Sequence, residues 1–175
     1  MHKLNNLQVF AAGANDILDY KPRPKTLLIR IIDDDVIYQP MKYINEYESV
    51  FEIHVIDIDL TEYEDDYREQ LQIMFNDQLF KSEHAENLIE YLQQYDSNNV
   101  EQVVVHCLAG ISRSVAVAYF IAQYYFHNDS NAKAILDYEN YLYGGNNMIR
   151  EILVDTWCTL TNDKKIQIAE SRNIT

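Results

Sequence analysis

A mainly parallel α/β sheet flanked by helices is predicted by three features of this 175-residue chain. Short β-branched and aliphatic runs alternate with segments of helical period through the first two thirds, and the last third is helical in pattern throughout. Between them, Val103-Val104-Val105 is too apolar for a strand with one wet face and belongs in a sheet covered on both sides.

Residues 27–32 (Leu-Leu-Ile-Arg-Ile-Ile) read as a strand that ends at the acidic turn Asp33-Asp34-Asp35. Residues 50–58 read as a second, with Phe51, Ile53 and Val55 on one face and His54, Ile56 and Ile58 on the other. The segment Tyr67 to Phe75 reads as a helix inserted after it. Ser82 is placed to cap a helix whose Ala85, Leu88, Ile89 and Leu92 recur at i, i+3, i+4 and i+7, and the polar turn Asp96 to Asn99 should end it. Beyond the 103–105 strand, a helix from about Ser114 to Phe126 is apolar on almost every side, as a central buried helix would be. A further helix covers about 131–143 and stops at Gly144-Gly145. The last starts at the cap Asn146 and aligns Ile149, Ile152, Leu153, Trp157 and Leu160 in one stripe. Residues 161–175 read as a polar, partly frayed tail.

Composition bounds the function. With 47% apolar residues and few Gly or Pro, residues 1–175 read as one domain with no interdomain linker. The formal charge of -14 opposes attraction to nucleic acid or to an anionic membrane, so neither is an expected partner. Two cysteines, Cys107 and Cys158, make no disulfide framework, and no run has the length of a membrane span; a cytoplasmic protein is the expectation. Cys158, beside Trp157 in a helical stripe, reads as a core residue, and the pair Tyr124-Tyr125 as packing or helix surface.

The chemistry concentrates in His106-Cys107-Leu108-Ala109-Gly110-Ile111-Ser112-Arg113-Ser114. A buried strand passes through a tight turn into a buried helix, so the backbone N–H groups of residues 108–113 can curl into an anion cradle at a helix N-terminus. Cys107 opens the cradle and Arg113 closes it, a setting that favours a nucleophilic thiolate. Arg113 can grip two oxygens of a phosphate with its planar fork, as a lysine could not. Gly110 permits the turn its unusual backbone angles. Ser114 can donate a hydrogen bond to the Cys107 sulfur, and His106 reads as a structural residue that fixes the loop rather than as a base.

The pattern His106-Cys107-x-x-Gly110-x-x-Arg113-Ser114 resembles the signature of the cysteine-based protein tyrosine phosphatases, and the full string resembles their compact dual-specificity-like bacterial and phage-type branch. Weaker similarities in Val55-Ile-Asp-Ile-Asp59, Phe80-Lys-Ser-Glu-His-Ala85 and Asn146-Asn-Met-Ile-Arg150 extend it over about residues 25–155. The resemblance implies hydrolysis of a phosphorylated protein or peptide in two steps. Cys107 attacks phosphorus to form a phosphocysteine, an aspartic acid protonates the leaving oxygen, and the same carboxylate then activates water. It implies no metal and no other cofactor.

Several carboxylates compete for the role of acid. Ligands of parallel sheets sit beyond the carboxyl ends of the strands, the edge at which Cys107 emerges, and Asp57 and Asp59 close the second strand there. Asp57 continues the Phe51, Ile53, Val55 face and leads, although it lies 50 residues before Cys107. Asp77, 30 residues before, fits the wider family's spacing; Asp59 and Asp33 to Asp35 also stay open.

Two other readings compete with a phosphatase of phosphotyrosine, with phosphoserine and phosphothreonine as further candidate substrates: a phosphate-recognition module without turnover, and a phosphatase of a non-protein ester. Between Glu46 and Glu101 there are 16 acidic and two basic residues, so the field around the loop should favour neutral or basic sequence beside the phosphorylated residue.

Overall fold

The computed structural model describes residues 7–95, 99–138 and 145–172, with side chains through 162 apart from that of Tyr138. Strands β1 (Gln8–Gly13), β2 (Thr26–Ile32), β3 (Ser49–His54) and β4 (Gln102–Cys107) form one sheet in the order β1-β4-β2-β3, and every pair is parallel. The helices are α1 (Asp65–Phe75), α2 (Ser82–Gln93), α3 (Arg113–Phe120), α4 (Asp129–Tyr138) and α5 (Asn147–Arg172). The chain is therefore α/β with a parallel sheet, as its pattern predicts. None of the described helices is long and apolar enough to cross a membrane.

The helices lie on one face. Leu27, Ile29, Ile31, Ile53, Val103 and Val105 share a core with residues of α2, α3, α4 and α5. On the other face, Leu28 and Val104 are covered by Ile17, Met41 and Tyr47 from irregular segments, so β4 is buried on both sides without helices on both sides. Helix α1 stands apart over a small cluster of Leu60, Leu71 and Leu79.

Several boundaries differ from the sequence reading for identifiable reasons. Strand β1 has no clear alternation and escapes pattern analysis; it is held by pairing with β4, about a hundred residues away. The second strand ends at His54 rather than at residue 58. There the Val55 carbonyl is taken by Arg113 and the Ile56 N–H by the Gln78 carbonyl, which pulls the chain out of the ladder. Ser82 is the first residue of α2 rather than its cap, because the His84 ring accepts from the Lys81 N–H. Residues 96–98 of the turn predicted to follow α2 lie outside the described residues, as do 139–144 at the end of the 131–143 helix. The helix expected over 114–126 becomes a wider π-turn at Ile121–Tyr125, where the Phe126 N–H reaches the Ile121 carbonyl. The backbone of α5 is helical to Arg172, well into the segment read as a tail. Cys158 is exposed, not core: it lies on the side of α5 opposite Ile149 and Leu153. Tyr124 and Tyr125 pack against the core beside Phe120 and Trp157.

Two caps fix the start of α5. Asn146 Oδ1 accepts from the Ile149 N–H (3.0 Å), as its cap position predicts. Asp59 is buried and accepts from the N–H groups of Asn147 (2.6 Å) and Met148 (3.3 Å), and from the N–H and hydroxyl of Thr61. Both of its oxygens are consumed in joining the 55–61 segment to α5. Asp59→Ala should lower stability by about 2 kcal/mol through the lost cap and the orphaned N–H groups, read as a fall in the urea midpoint at constant m-value; an unmoved midpoint would remove this role.

Candidate active site

The carboxyl ends of all four strands meet at one edge, and the loop 107–113 sits at its centre. Cys107 ends β4 and is 1% exposed. Its sulfur accepts from the Gly110 N–H at 3.3 Å and lies 3.2 Å from Ser114 Oγ, so the loop is curled around it. Gly110 has φ +81°, and a Cβ there would lie 2.3 Å from the Gly13 nitrogen. The turn requires glycine twice, for its angles and for its contact with β1. The Ala14 N–H holds the Leu108 carbonyl, and the Asn146 N–H the Ser112 carbonyl. Leu108 and Ile111, 45% and 47% exposed, form an apolar rim, and the Ala109 carbonyl rests against Gly13.

Arg113 is buried, and its guanidinium is oriented on one side by protein acceptors. Nη1 and Nη2 donate to the two oxygens of Asp33 (2.8 and 2.9 Å), and Nη1 also donates to the Val55 carbonyl (2.6 Å). Of five N–H donors, this leaves Nε–H and one Nη2–H, which share the other edge of the plane. Nε, 3.5 Å from Asp57 Oδ2, has no hydrogen bond among the described residues. Burial pushes the guanidinium pKa down, but the Asp33 hydrogen bonds and the charges of Asp57, Asp33 and Cys107 outweigh it and hold the pKa above its ordinary value. Arg113 is thus a cation fixed by acceptors on one edge of its plane, with its Nε on the other edge facing Asp57.

Asp57 is the predicted acid that the fold brings to the loop. Its Oδ1 accepts from Ser112 Oγ (2.6 Å) and Asn146 Nδ2 (3.3 Å), while Oδ2 faces Arg113 Nε. Asp59 is committed to its caps. Asp77 is 97% exposed and pairs with Lys81 and Asn76, away from the loop contacts described above. Of the acidic triplet, Asp33 clamps Arg113 and Asp34 pairs with His54.

His106 is buried, and its Nε2 accepts from Arg30 Nε at 3.3 Å, which fixes the ring's tautomer. Burial, then the Arg30 charge, pushes its pKa down to about 4, so the ring is neutral at pH 7. Sequence reasoning missed three members of the site. Asn146 was read only as a cap, the Val55 carbonyl is a backbone group with no sequence signal, and Tyr38 hydrogen-bonds Asp33 and lies edge-on to His106. Among the described residues no three His, Cys, Asp or Glu side chains converge as a metal site. Compared with known proteins, the chain matches no family model and no curated sequence.

Two outcomes test this geometry. Gly110→Ala should displace the loop and abolish binding of an oxyanion such as vanadate, measured by calorimetry; intact binding would contradict the packing on Gly13. The neutral burial of His106 makes the folded state bind fewer protons than the unfolded state between pH 6.5 and about 4. Its contribution is therefore present above pH 6.5 and lost as pH falls, by about 2 kcal/mol between pH 7.5 and 5. Urea unfolding at the two pH values should show a correspondingly smaller loss in His106→Gln; equal losses would refute it.

Proposed function

We propose that the chain is a cysteine-dependent phosphoric monoester hydrolase acting on phosphotyrosine in proteins or peptides, with phosphoserine and phosphothreonine as further candidates. The observation that carries this reading is the division of Arg113 into two edges. Asp33 and the Val55 carbonyl hold one, and Nε–H with Nη2–H present the other beside a nucleophilic sulfur and a second carboxylate. The resemblance of the loop to cysteine phosphatases points the same way.

In the reaction, two oxygens of the phosphoryl group take the open edge of Arg113 and loop amides take the others. The Cys107 thiolate attacks phosphorus; the S–P bond forms as the P–O bond to the leaving group breaks. Asp57 Oδ2 supplies the proton to the departing oxygen, while Ser112 and Asn146 hold Oδ1. Asp33 is unsuited to this task because both of its oxygens are engaged by the guanidinium. Water then attacks the phosphocysteine, Asp57 takes its proton, and the sulfur leaves with Ser114 Oγ beside it. The apolar rim of Leu108 and Ile111 suits an aromatic ring better than a polyanionic substrate, and a free-thiol mechanism suits a reducing, cytoplasmic setting.

Cys107→Ser should abolish hydrolysis of p-nitrophenyl phosphate in a folded protein, and retained turnover would refute the mechanism. Asp57→Asn should lower kcat by about 10²–10⁴ on a phenolic phosphate with a poor leaving group, less on a nitrophenolic one, and should flatten the arm of the pH profile that reports the acid. If Asp77→Asn has that effect instead, the role belongs to Asp77.

A further inference from the structure

A cavity of about 690 Å³ runs along the outer edge of β1. Strand β1 is its floor; Asn131, Ala134 and Ile135 of α4 form one wall and Asp16, Ile17 and Tyr20 the other. Its end is the outer side of Ala109-Gly110-Ile111, so it is continuous with the loop that curls around Cys107.

β1 is an edge strand, and the Gln8 N–H donates to the Glu101 carbonyl on the β4 side. By alternation Phe10 and Ala12 also face β4, while Val9, Ala11 and Gly13 direct their N–H and C=O groups outward into the cavity. Two of these three are already satisfied. Asn131 Oδ1 accepts from the Val9 N–H (2.7 Å) and its Nδ2 donates to the Val9 carbonyl (2.9 Å), so one side-chain amide takes the place of a peptide unit from a neighbouring strand. Gly13 exchanges the equivalent pair with Asp16, through the carboxylate and the backbone N–H. Between them, the N–H and C=O of Ala11 have no partner among the described residues.

We propose that Ala11 is the docking point for an extended peptide, added to β1 as a short further strand, and that this peptide is the segment flanking the phosphorylated residue of the substrate. The proposal rests on the phosphatase reading above. Gly13 is the ladder partner of Cys107, and Ala11 lies two residues back, about 7 Å along the strand. A chain paired with Ala11 therefore reaches the loop mouth within about two to four residues. Asn131 and Asp16 close the edge on either side, so the site accepts one peptide unit and not a long strand. Among the described residues, Asp16 is the only charged one lining the cavity, and the chain carries a formal charge of -14. The segment at Ala11 is therefore neutral or basic, with a small or aliphatic side chain against Ala134 and Ile135.

Ala11→Pro removes the outward N–H without touching the ladder to β4, and an edge position tolerates proline. Ala134→Arg, at an exposed site on α4, instead fills the groove. Each should raise KM for a phosphotyrosyl peptide with lysine-containing flanks by about three- to tenfold, the scale of one or two hydrogen bonds, and leave kcat/KM for p-nitrophenyl phosphate unchanged. In Cys107→Ser, the same peptide should shift the Ala11 amide resonance, and a glutamate-flanked peptide should shift it far less. If wild type turns over the peptide but neither variant changes its KM and the resonance stays put, the docking site is refuted. If wild type hydrolyses neither substrate while the resonance still moves, the docking site stands and the phosphatase reading falls.

Discussion

The site depends on a buried guanidinium. Taking an arginine out of water costs several kcal/mol unless its N–H groups are met by acceptors and its charge by a counter-charge. Arg113 meets that condition with Asp33 from the end of β2, the Val55 carbonyl from the end of β3 and Asp57 just beyond, while it is itself the first residue of α3, at the end of the loop that follows β4. One cation thus gathers the carboxyl ends of three parallel strands. The arrangement also explains why β3 stops at His54, since the next carbonyl serves the arginine instead of a neighbouring strand.

That clamp has an electrostatic consequence. Arg113 stands among Asp33, Asp57 and the Cys107 sulfur, so the immediate site is not rich in positive charge, and the protein around it is strongly acidic. On the proposed function, a phosphate dianion would gain little from long-range attraction and would depend on short, oriented donors.

The features that could be read from the sequence are those encoded locally. Cys107, Gly110, Arg113 and Ser114 lie within eight residues, between a strand and a helix whose burial is evident in their apolar runs. For the proposed acid the sequence leaves Asp57 and Asp59 competing, because both have the parity of the Phe51, Ile53, Val55 face. What separates them is a helix N-terminus 88 residues later in the chain, which captures Asp59 and leaves Asp57 to the loop. Asp33 was visible as a strand-end carboxylate, but its grip on Arg113 depends on the pairing of β2 with β4. Strand β1 is illegible in the sequence because it has no clear alternation and its place depends on pairing with β4 and on Asn131, 122 residues away. Cys158 reads as core because it follows Trp157, yet only Trp157 packs against the core and Cys158 is exposed.

The treatment of β1 bears on selectivity as well as on folding. An open edge invites pairing with any extended chain, and proteins restrict it by covering or capping its free groups. Here a side-chain amide and a carboxylate cap the two outer positions and leave the middle one, beside the loop. Capping at Val9 and Gly13 denies register to a long strand from another molecule, while Ala11 keeps a donor and an acceptor for a single peptide unit. Because that unit lies a few residues from Cys107, a chain held there is short of contacts unless its phosphoryl group also occupies the loop. On the proposed docking, the edge and the loop would act together, each adding to the hold of the other on a phosphorylated residue within an extended backbone.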